Sequence, residues 1–374
     1  MRLASFNVEN LFARPKAMSE GEGDEATRRA AMTAHSRLSE LLTLASYDGH
    51  QSEILEHLTT LGLLKSDEGP FVRLRKIRGR LLARPKTGSV EVVAAGRGGW
   101  IGWVELKTVA VNAEATRNTA RVIAALSPDI LTVIEADNRP GLQLFSDAVL
   151  REIEYSPFEQ VMVVEGNDLR GIDVGLMARK SYRLTQIRTH VFDEDKFGTI
   201  FSRDCCEYHF QIPRLDSRLV VLANHFKSKG YSSPDDPLGA KRRMRQAKRV
   251  AGIVRDLRNE GVEHIDVTGD LNDSPASPCI KLLKAVGLRD VSEHNKFNWD
   301  GRRGTYGSGN ENDKIDYILM SDPLFSRVNG GGVFRKGVWR GNRTKNPWEI
   351  FPTLTSKLEE ASDHAAIYAD LQDF

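Results

Sequence analysis

Two carboxylates and an amide stand within five residues in the stretch Gly269-Asp270-Leu271-Asn272-Asp273. The residues just before it, 265–268, are mostly apolar and β-branched, which is typical of a buried strand, and Ser274-Pro275 is typical of a turn. We therefore place Asp270 and Asn272 at a strand end and expect their side chains to share one face, because residues two apart on an extended chain do so. The stretch is either the floor of an active site or an Asx-rich turn between a strand and a helix.

The same combination of an apolar strand and a polar end recurs along the chain. The strand predicted over 129–134 runs directly into Glu135, and the one over 219–223 runs into Asn224-His225-Phe226-Lys227. A carboxylate at the end of a buried strand is costly unless a cation meets it, which favours a functional role for Glu135. A lone histidine is usually structural, but its basic neighbours raise the functional interest of His225. The other strand ends carry Asn7, Glu9, Asp316, Asp363 and His364.

These residue types indicate one kind of chemistry. Several carboxylates without cysteine suit a hard, oxygen-ligated cation such as Mg²⁺ or Mn²⁺, which neutralises phosphate oxygens and orients a water. Two histidines without zinc-type spacing suit proton handling and phosphate stabilisation better than metal ligation.

The amino-acid composition limits the classes of protein to which the chain can belong. Cys205 and Cys206 are adjacent and Cys279 stands alone, so neither a disulfide framework nor a cysteine zinc site is readable. A net charge of +2 means that any nucleic-acid binding must come from local basic patches. No segment has the roughly 18 apolar residues of a membrane span, and the first residues show no cleavage signature. We expect a cytoplasmic protein with no membrane contact; no obligate protein partner is readable.

Residues 14–110 differ in character from the rest and are predicted to be an insertion. Helical spacing of leucines dominates 19–64, and 71–106 is typical of strands with basic residues interleaved. The basic stretch from Arg73 to Lys86 has two interpretations. It is the solvated face of a β-hairpin, or it holds phosphates with Trp100 and Trp103 as stacking platforms.

The chain resembles the endonuclease/exonuclease/phosphatase superfamily, which includes pancreatic-type deoxyribonucleases, apurinic-site endonucleases and inositol polyphosphate 5-phosphatases. Gly-Asp-x-Asn followed by Ser-Asp-His is the specific part of the signal. The motifs that carry the resemblance are Phe6-Asn7-Val8-Glu9-Asn10-Leu11, Asp129 to Glu135, Asn224-His225-Phe226-Lys227-Ser228-Lys229, Gly269 to Asp273, Lys314-Ile315-Asp316-Tyr317-Ile318-Leu319 and Ser362-Asp363-His364. The segments 167–173 and 224–229 look most like the bacterial extracellular-nuclease branch.

The resemblance implies an α/β fold, a four-layer sandwich of two packed mixed sheets flanked by helices, formed by residues 1–13 and 111–374. The mixed helical and hairpin insertion 14–110 would be added to it. By the same resemblance, Asp270 activates the attacking water and Asn272 helps to hold it. His364, oriented by Asp316, stabilises the transition state. The metal ligands would be Glu135, Asn7 and Asp363, and phosphate contacts would come from His225, Asn7, Asn224, Lys227 and Arg170.

The leading hypothesis is a Mg²⁺- or Mn²⁺-dependent nuclease acting on DNA or RNA. A phosphatase or small-molecule phosphodiester hydrolase is the alternative, and a catalytically inactive binding module is a third possibility. The sequence departs from the family in its long insertion and in the unclear partner opposite the leaving group. Asp168, Arg170 and Asp173 lie in the matching region.

Overall fold

The computed structural model describes residues 1–9, 11–18, 24–168, 170–212, 218–230, 235–341 and 348–373. Asn10 and Leu169, which belong to the predicted motifs, lie outside these residues. The chain forms two units: residues 1–12, 111–227 and 240–374 make the first, and residues 13–110 with 228–239 make the second. Residues 228–239, which were predicted within the catalytic domain, cluster with the second unit.

Among the described residues, the two large sheets of the first unit contain thirteen strands, numbered here in chain order, and Glu194–Asp195 pairs separately with Gly198–Thr199. A seven-stranded sheet has the order β10-β12-β13-β1-β2-β4-β3, and a six-stranded sheet has the order β5-β6-β7-β8-β11-β9. The strands are β1 (Arg2–Asn7), β2 (Ile130–Ala136), β3 (Gln160–Val164), β4 (Asp173–Ala178), β5 (Arg183–Arg188), β6 (Cys205–Gln211), β7 (Arg218–His225), β8 (His264–Asp270), β9 (Leu288–Asp290), β10 (Phe297–Asn298), β11 (Asp316–Ser321), β12 (Val328–Phe334) and β13 (Ala366–Leu371).

Helices lie outside the sheets. The longer ones are α1 (Ala113–Leu126), α2 (Arg139–Leu144), α3 (Ala240–Asn259) and α4 (Pro278–Ala285), with short helical turns at Leu150–Glu152 and Asp322–Phe325. As the Ser277-Pro278 sequence indicates, α4 begins with Ser277 as its N-cap, and Ser277 Oγ accepts a hydrogen bond from the Ile280 N–H at 3.4 Å.

Three apolar clusters define the layers of this unit. Between the sheets, one core joins Ile134 and Leu176 to Val221 and Ile318. The outer face of the seven-stranded sheet packs against α1 and α2, in a cluster that includes Phe6, Ile123, Val133 and Leu142. The outer face of the six-stranded sheet packs against α3 and α4, in a cluster that includes Val220, Val254, Val267 and Ile280. The predicted four-layer α/β sandwich is confirmed.

Each sheet has a parallel pair whose strand ends carry predicted site residues. Parallel strands end at the same sheet edge. In the β1–β2 pair Asn7 lies beside Ile134, and in the β7–β8 pair His225 lies beside Asp270. The antiparallel neighbours begin where these pairs end, since Asp316 opens β11 opposite Asp270 and His364 precedes β13, which runs beside β1. The topology therefore brings all the predicted strand ends to one edge of the sandwich.

The second unit has its own core. Helices Glu25–Leu41 and Gln51–Thr60 pack with the hairpin of Val72–Gly79 and Trp100–Leu106. Short strands pair as Ala13–Pro15 with Thr108–Ala110 and as Leu82–Ala83 with Glu91–Val92. Trp100 is only 1% exposed and belongs to this core, which excludes Trp100 as a stacking platform in the second interpretation of the basic stretch. Among the described residues, no helix is both long and apolar enough to cross a membrane.

Candidate active site

A side-chain contact joins the two sheets at this edge. Asn7 Nδ2 lies 3.4 Å from Asp270 Oδ2, and His225 Nε2 lies 3.6 Å from the same oxygen and 3.9 Å from Glu135 Oε1. The β7–β8 pair is held close at this point by Gly269, where a Cβ would stand 1.9 Å from the backbone oxygen of Asn224. Any side chain at Gly269 would therefore push His225 and Asp270 apart.

Asp270 and Asn272 are brought together by a turn and not, as predicted, by an extended chain. Asn272 has φ 53°, in the left-handed region, and its backbone N–H donates to Asp270 Oδ1 at 2.8 Å. Its side-chain Nδ2 donates to Asp270 Oδ2 at 3.1 Å and to the backbone oxygen of Phe226 at 3.2 Å. Asp273 turns away, because its carboxylate accepts from the Ser274 N–H and from Arg243 Nε. Asn272 thus fixes the orientation of the Asp270 carboxylate.

Of the six non-glycine residues with left-handed φ among the described residues, three lie at this edge. Glu9 and Glu135 also have left-handed φ values, 49° and 65°. Such a conformation costs a non-glycine residue about 1–3 kcal/mol and persists where the surrounding structure enforces it, often at functional sites. Three acidic or amide side chains are therefore aimed by strained backbone.

His364 is oriented by a chain of hydrogen bonds. Its Nδ1 lies 2.9 Å from Asp316 Oδ2, which also accepts from Thr305 Oγ1 at 2.6 Å. Burial alone would lower the pKa of His364, but Asp316, Asp363 and Asp270 outweigh burial and raise that pKa well above its ordinary value. His364 is thus an imidazolium at neutral pH. Its Nε2 lies 3.8 Å from Asp363 and 4.0 Å from Asp270, too far for either hydrogen bond.

His225 has the opposite character. Burial, followed by the charges of Arg203 and Arg170, lowers the pKa of His225 well below its ordinary value, so the ring is neutral. Among the described residues its Nδ1 has no hydrogen-bond partner. One imidazolium and one neutral imidazole therefore flank Asp270.

A pair of guanidinium groups supplies positive charge beside the carboxylates. Asp168 accepts from Arg170 at 2.6 Å and from Arg203 at 3.1 Å, and Arg203 also donates to the backbone oxygen of Phe226 at 2.7 Å. Both guanidinium charges act on Glu135. Burial, with the charges of Arg170 and Arg203, lowers the pKa of Lys227 to about 7. The charges of Arg170 and Lys227 thus act on the same edge of the sandwich where the predicted strand ends meet.

Arg203 was not predicted from the sequence. Its side chain is 1% exposed, and burial lowers its pKa to about 10, so it remains charged at neutral pH. The sequence feature that could have indicated Arg203 is the Arg203-Asp204 pair directly before the buried strand β6. Thr305, also missed, stands in the turn Gly304-Thr305-Tyr306-Gly307, where nothing in the sequence distinguishes it.

Two predicted residues stay outside this cluster. Asn224 is adjacent to His225 on β7 and therefore points to the opposite face, where its Nδ2 donates to the backbone oxygen of Leu222 at 3.0 Å. Asp173 accepts from the Gly166 N–H at 2.7 Å and is a structural partner of that loop. Asp363 lies at the cluster, and its backbone N–H donates to Glu9 Oε2 at 3.2 Å.

The acidic residues fit a divalent cation. Burial raises the pKa of Asp270 to about 7, with Asp316 acting in the same direction. Burial also raises the pKa of Glu135, helped by Glu9 and opposed by Arg170 and His364. Ligand atoms of Asp270, Asp316 and His364 lie within 4.8 Å of one another. Because Asp316 is already engaged by His364 and Thr305, the oxygens of Glu135 are the better candidates for a hard cation.

A family comparison decides the class of the chain. The model of the Endonuclease/Exonuclease/phosphatase family matches residues 109–364. The chain belongs to this family. Its members are phosphoester-hydrolysing enzymes that depend on divalent metals, and the chain is accordingly a phosphoester hydrolase. Glu135, His225, Asp270, Asp316 and His364 all fall inside the matched residues, and Asn7 falls before them.

Several solved structures match this chain but share little sequence identity with it. A mannosyl-6-phosphatase from Bacteroides thetaiotaomicron is 17% identical, with 69% of this chain and 91% of that chain covered and a TM-score of 0.49. A family member from Bacteroides vulgatus is 19% identical, with 68% and 90% covered and a TM-score of 0.47. The catalytic domain of human Nocturnin is 15% identical, with 70% and 87% covered and a TM-score of 0.45. A search of curated proteins finds no match.

Proposed function

We propose that the chain is a Mg²⁺- or Mn²⁺-dependent nuclease that hydrolyses phosphodiester bonds of DNA or RNA. The observation that carries the proposal is the meeting of Asn7, Glu135, His225, Asp270 and His364 at one edge of the sandwich, beside the guanidinium groups of Arg170 and Arg203. This combination supplies a base, an imidazolium and phosphate-binding cations around one small volume.

Each side chain has a defined task in an in-line displacement. Asp270, held by Asn272, orients the attacking water and accepts its proton. The Nε2–H of His364 faces the charge that develops on the phosphoryl oxygens, while Asp316 keeps Nδ1 protonated. His225, Asn7, Arg170 and Lys227 contact the phosphate from the other side. Glu135, with Asn7 and Asp363, would hold a divalent ion, which would supply charge neutralisation at the phosphate oxygens.

A substrate panel tests this proposal. Single- and double-stranded DNA, RNA, bis(p-nitrophenyl) phosphate and p-nitrophenyl phosphate are each incubated with Mg²⁺, Mn²⁺ or EDTA. We expect metal-dependent cleavage of at least one nucleic acid and of the small diester. Intact nucleic acids together with phosphate release from the monoester would contradict the nuclease and favour the phosphatase alternative.

A further inference from the structure

The hairpin of the second unit ends in a run of exposed cations. Within the described residues, no hydrogen bond or ion pair engages the side chains of Lys76, Arg78 or Arg80, and all three are exposed. Arg73 and Arg75, earlier on the same strand, are paired with Glu68 and Glu105. The positive charge is therefore concentrated at the end of the hairpin, over residues 76–80.

Apolar and aromatic side chains accompany these cations. The register shifts between Lys76 and Arg78, so Ile77 is the extra residue of a bulge, and it is 70% exposed. On the partner strand Trp103 lies opposite Arg75 and is 42% exposed, whereas Trp100 is buried in the core. By this register Trp103 shares a face with Arg75 and, past the bulge, with Arg78, whereas Lys76 lies opposite Gly102 on the other face. An exposed indole and an exposed guanidinium on one face are groups that hold single-stranded nucleic acid by stacking and phosphate contact.

We infer that the hairpin surface, defined as Lys76, Ile77, Arg78, Arg80 and Trp103, binds a nucleic-acid strand. The inference rests on the proposed nuclease function and adds to it a binding surface built by the second unit. The two exposed apolar side chains, Ile77 and Trp103, are too few to anchor the protein in a membrane. The excess of positive charge favours binding of a polyanion.

Binding is measured by fluorescence anisotropy with a labelled single-stranded oligonucleotide of about 20 nucleotides, in EDTA to prevent cleavage, over a series of salt concentrations. The test variant is K76E/R78E/R80E. Its control is R29E/K65E/K281E, which changes the net charge equally at exposed positions outside the hairpin. A second variant, K76Q/R78Q/R80Q, and Trp103→Ala separate charge from stacking, and circular dichroism verifies folding.

We expect the test variant to bind at least about tenfold more weakly and its slope of log K against log salt to be shallower by about 2, because each lost single-strand phosphate contact removes about 0.7. The control should keep the wild-type salt slope. Trp103→Ala should weaken binding but leave that slope unchanged. Equal binding by wild type and test variant, an equal loss in the control, or binding of anionic vesicles without binding of the oligonucleotide would each overturn the inference.

Hydrolysis of bis(p-nitrophenyl) phosphate by the same variants separates this inference from the proposed function. The hairpin variants should retain wild-type rates, since none of their residues belongs to the catalytic edge. If the wild type cleaves nucleic acid but the hairpin variants bind it normally, only the inference fails. If the wild type neither binds nor cleaves nucleic acid, the nuclease proposal fails as well.

Discussion

Asp316 lies directly opposite Asp270 on the neighbouring antiparallel strand, and its carboxylate meets Nδ1 of His364 at 2.9 Å. One carboxylate therefore holds the histidine while the other faces the reacting water. Because the two carboxylates differ only in their partners, their roles are separable by substitution.

Replacing Asp316 by Asn should lower kcat by about 10² to 10⁴-fold with little change in KM, because the imidazolium loses its charged partner. Thr305→Val should lower kcat less, by about tenfold, since it removes the 2.6 Å hydrogen bond to Asp316 Oδ2 and the two that Thr305 Oγ1 accepts from the N–H groups of Ile315 and Asp316, but leaves Asp316 itself in place. Thr305→Ser keeps the hydroxyl and is the matched control. Steady-state kinetics distinguish the outcomes: a change confined to KM would show that His364 binds substrate without assisting the transition state.

Lys227 should give substrate binding a pH dependence near neutrality. Its pKa of about 7 means that the ammonium is present below pH 7 and is lost as the pH rises through that value. We expect the KM of the wild type to rise by up to about tenfold between pH 6 and 8. Lys227→Arg keeps its charge over this range and should show a flat profile. Identical profiles for the two enzymes would exclude Lys227 as the titrating group.

Glu207 should contribute to stability in a pH-dependent way, away from the active site. Burial alone would raise its pKa, but hydrogen bonds from His190 at 2.7 Å and His209 at 2.8 Å outweigh burial and lower that pKa to about 2. A carboxyl with a depressed folded-state pKa stabilises the fold above its unfolded pKa and loses that contribution as the pH falls toward the folded value.

We therefore expect Glu207→Gln to lower the free energy of unfolding by about 3 kcal/mol at pH 7. The difference from wild type should shrink as the pH falls from about 4 to about 2. Urea denaturation at pH 7, 4 and 2.5 measures it. A difference that stays constant over this range would show that Glu207 stabilises the fold by packing and not by its charge.

Glu135 should be required for stabilisation by metal. The melting temperature of the wild type should rise with MnCl₂, by an amount that corresponds to about 2.7 kcal/mol at a hundredfold excess over Kd. Glu135→Gln should lose this response while remaining at least as stable as wild type in EDTA, because it removes a carboxylate that is costly to bury. The exposed Glu56→Gln serves as control. An unchanged response in Glu135→Gln would place the metal elsewhere, with the group of Asp270, Asp316 and His364 as the next candidate.

The sequence was most informative where a buried strand ends in a polar residue. The apolar run predicted over 129–135 is β2, Ile130–Ala136, and the run predicted over 265–268 lies within β8, His264–Asp270. In both strands the polar residue stands at or next to the carboxyl end of an apolar run, so it marks the site before the topology is known. The resemblance to one bacterial nuclease branch stays a prediction.

Features that depend on tertiary contacts were not accessible in this way. Arg203 reaches Asp168 across 35 positions of sequence, and Thr305 reaches Asp316 across 11. The left-handed turn at Asn272 replaced the extended geometry expected there, because its amide and N–H both bond to Asp270. Trp100 has the same local sequence context as Trp103, and only the packing of the hairpin shows which of the two is buried.

The central claim is that Asp270 drives a metal-dependent hydrolysis at this edge of the sandwich. The most direct measurement is the rate of bis(p-nitrophenyl) phosphate hydrolysis by wild type and Asp270→Asn, in EDTA and after addition of Mn²⁺. Asn retains the acceptor for the Asn272 N–H but cannot take a proton from water. We expect hydrolysis by the wild type only with metal, and a loss of at least about 10³-fold in Asp270→Asn at an unchanged melting temperature. Wild-type activity in EDTA, or comparable rates for the two proteins in Mn²⁺, would contradict the claim.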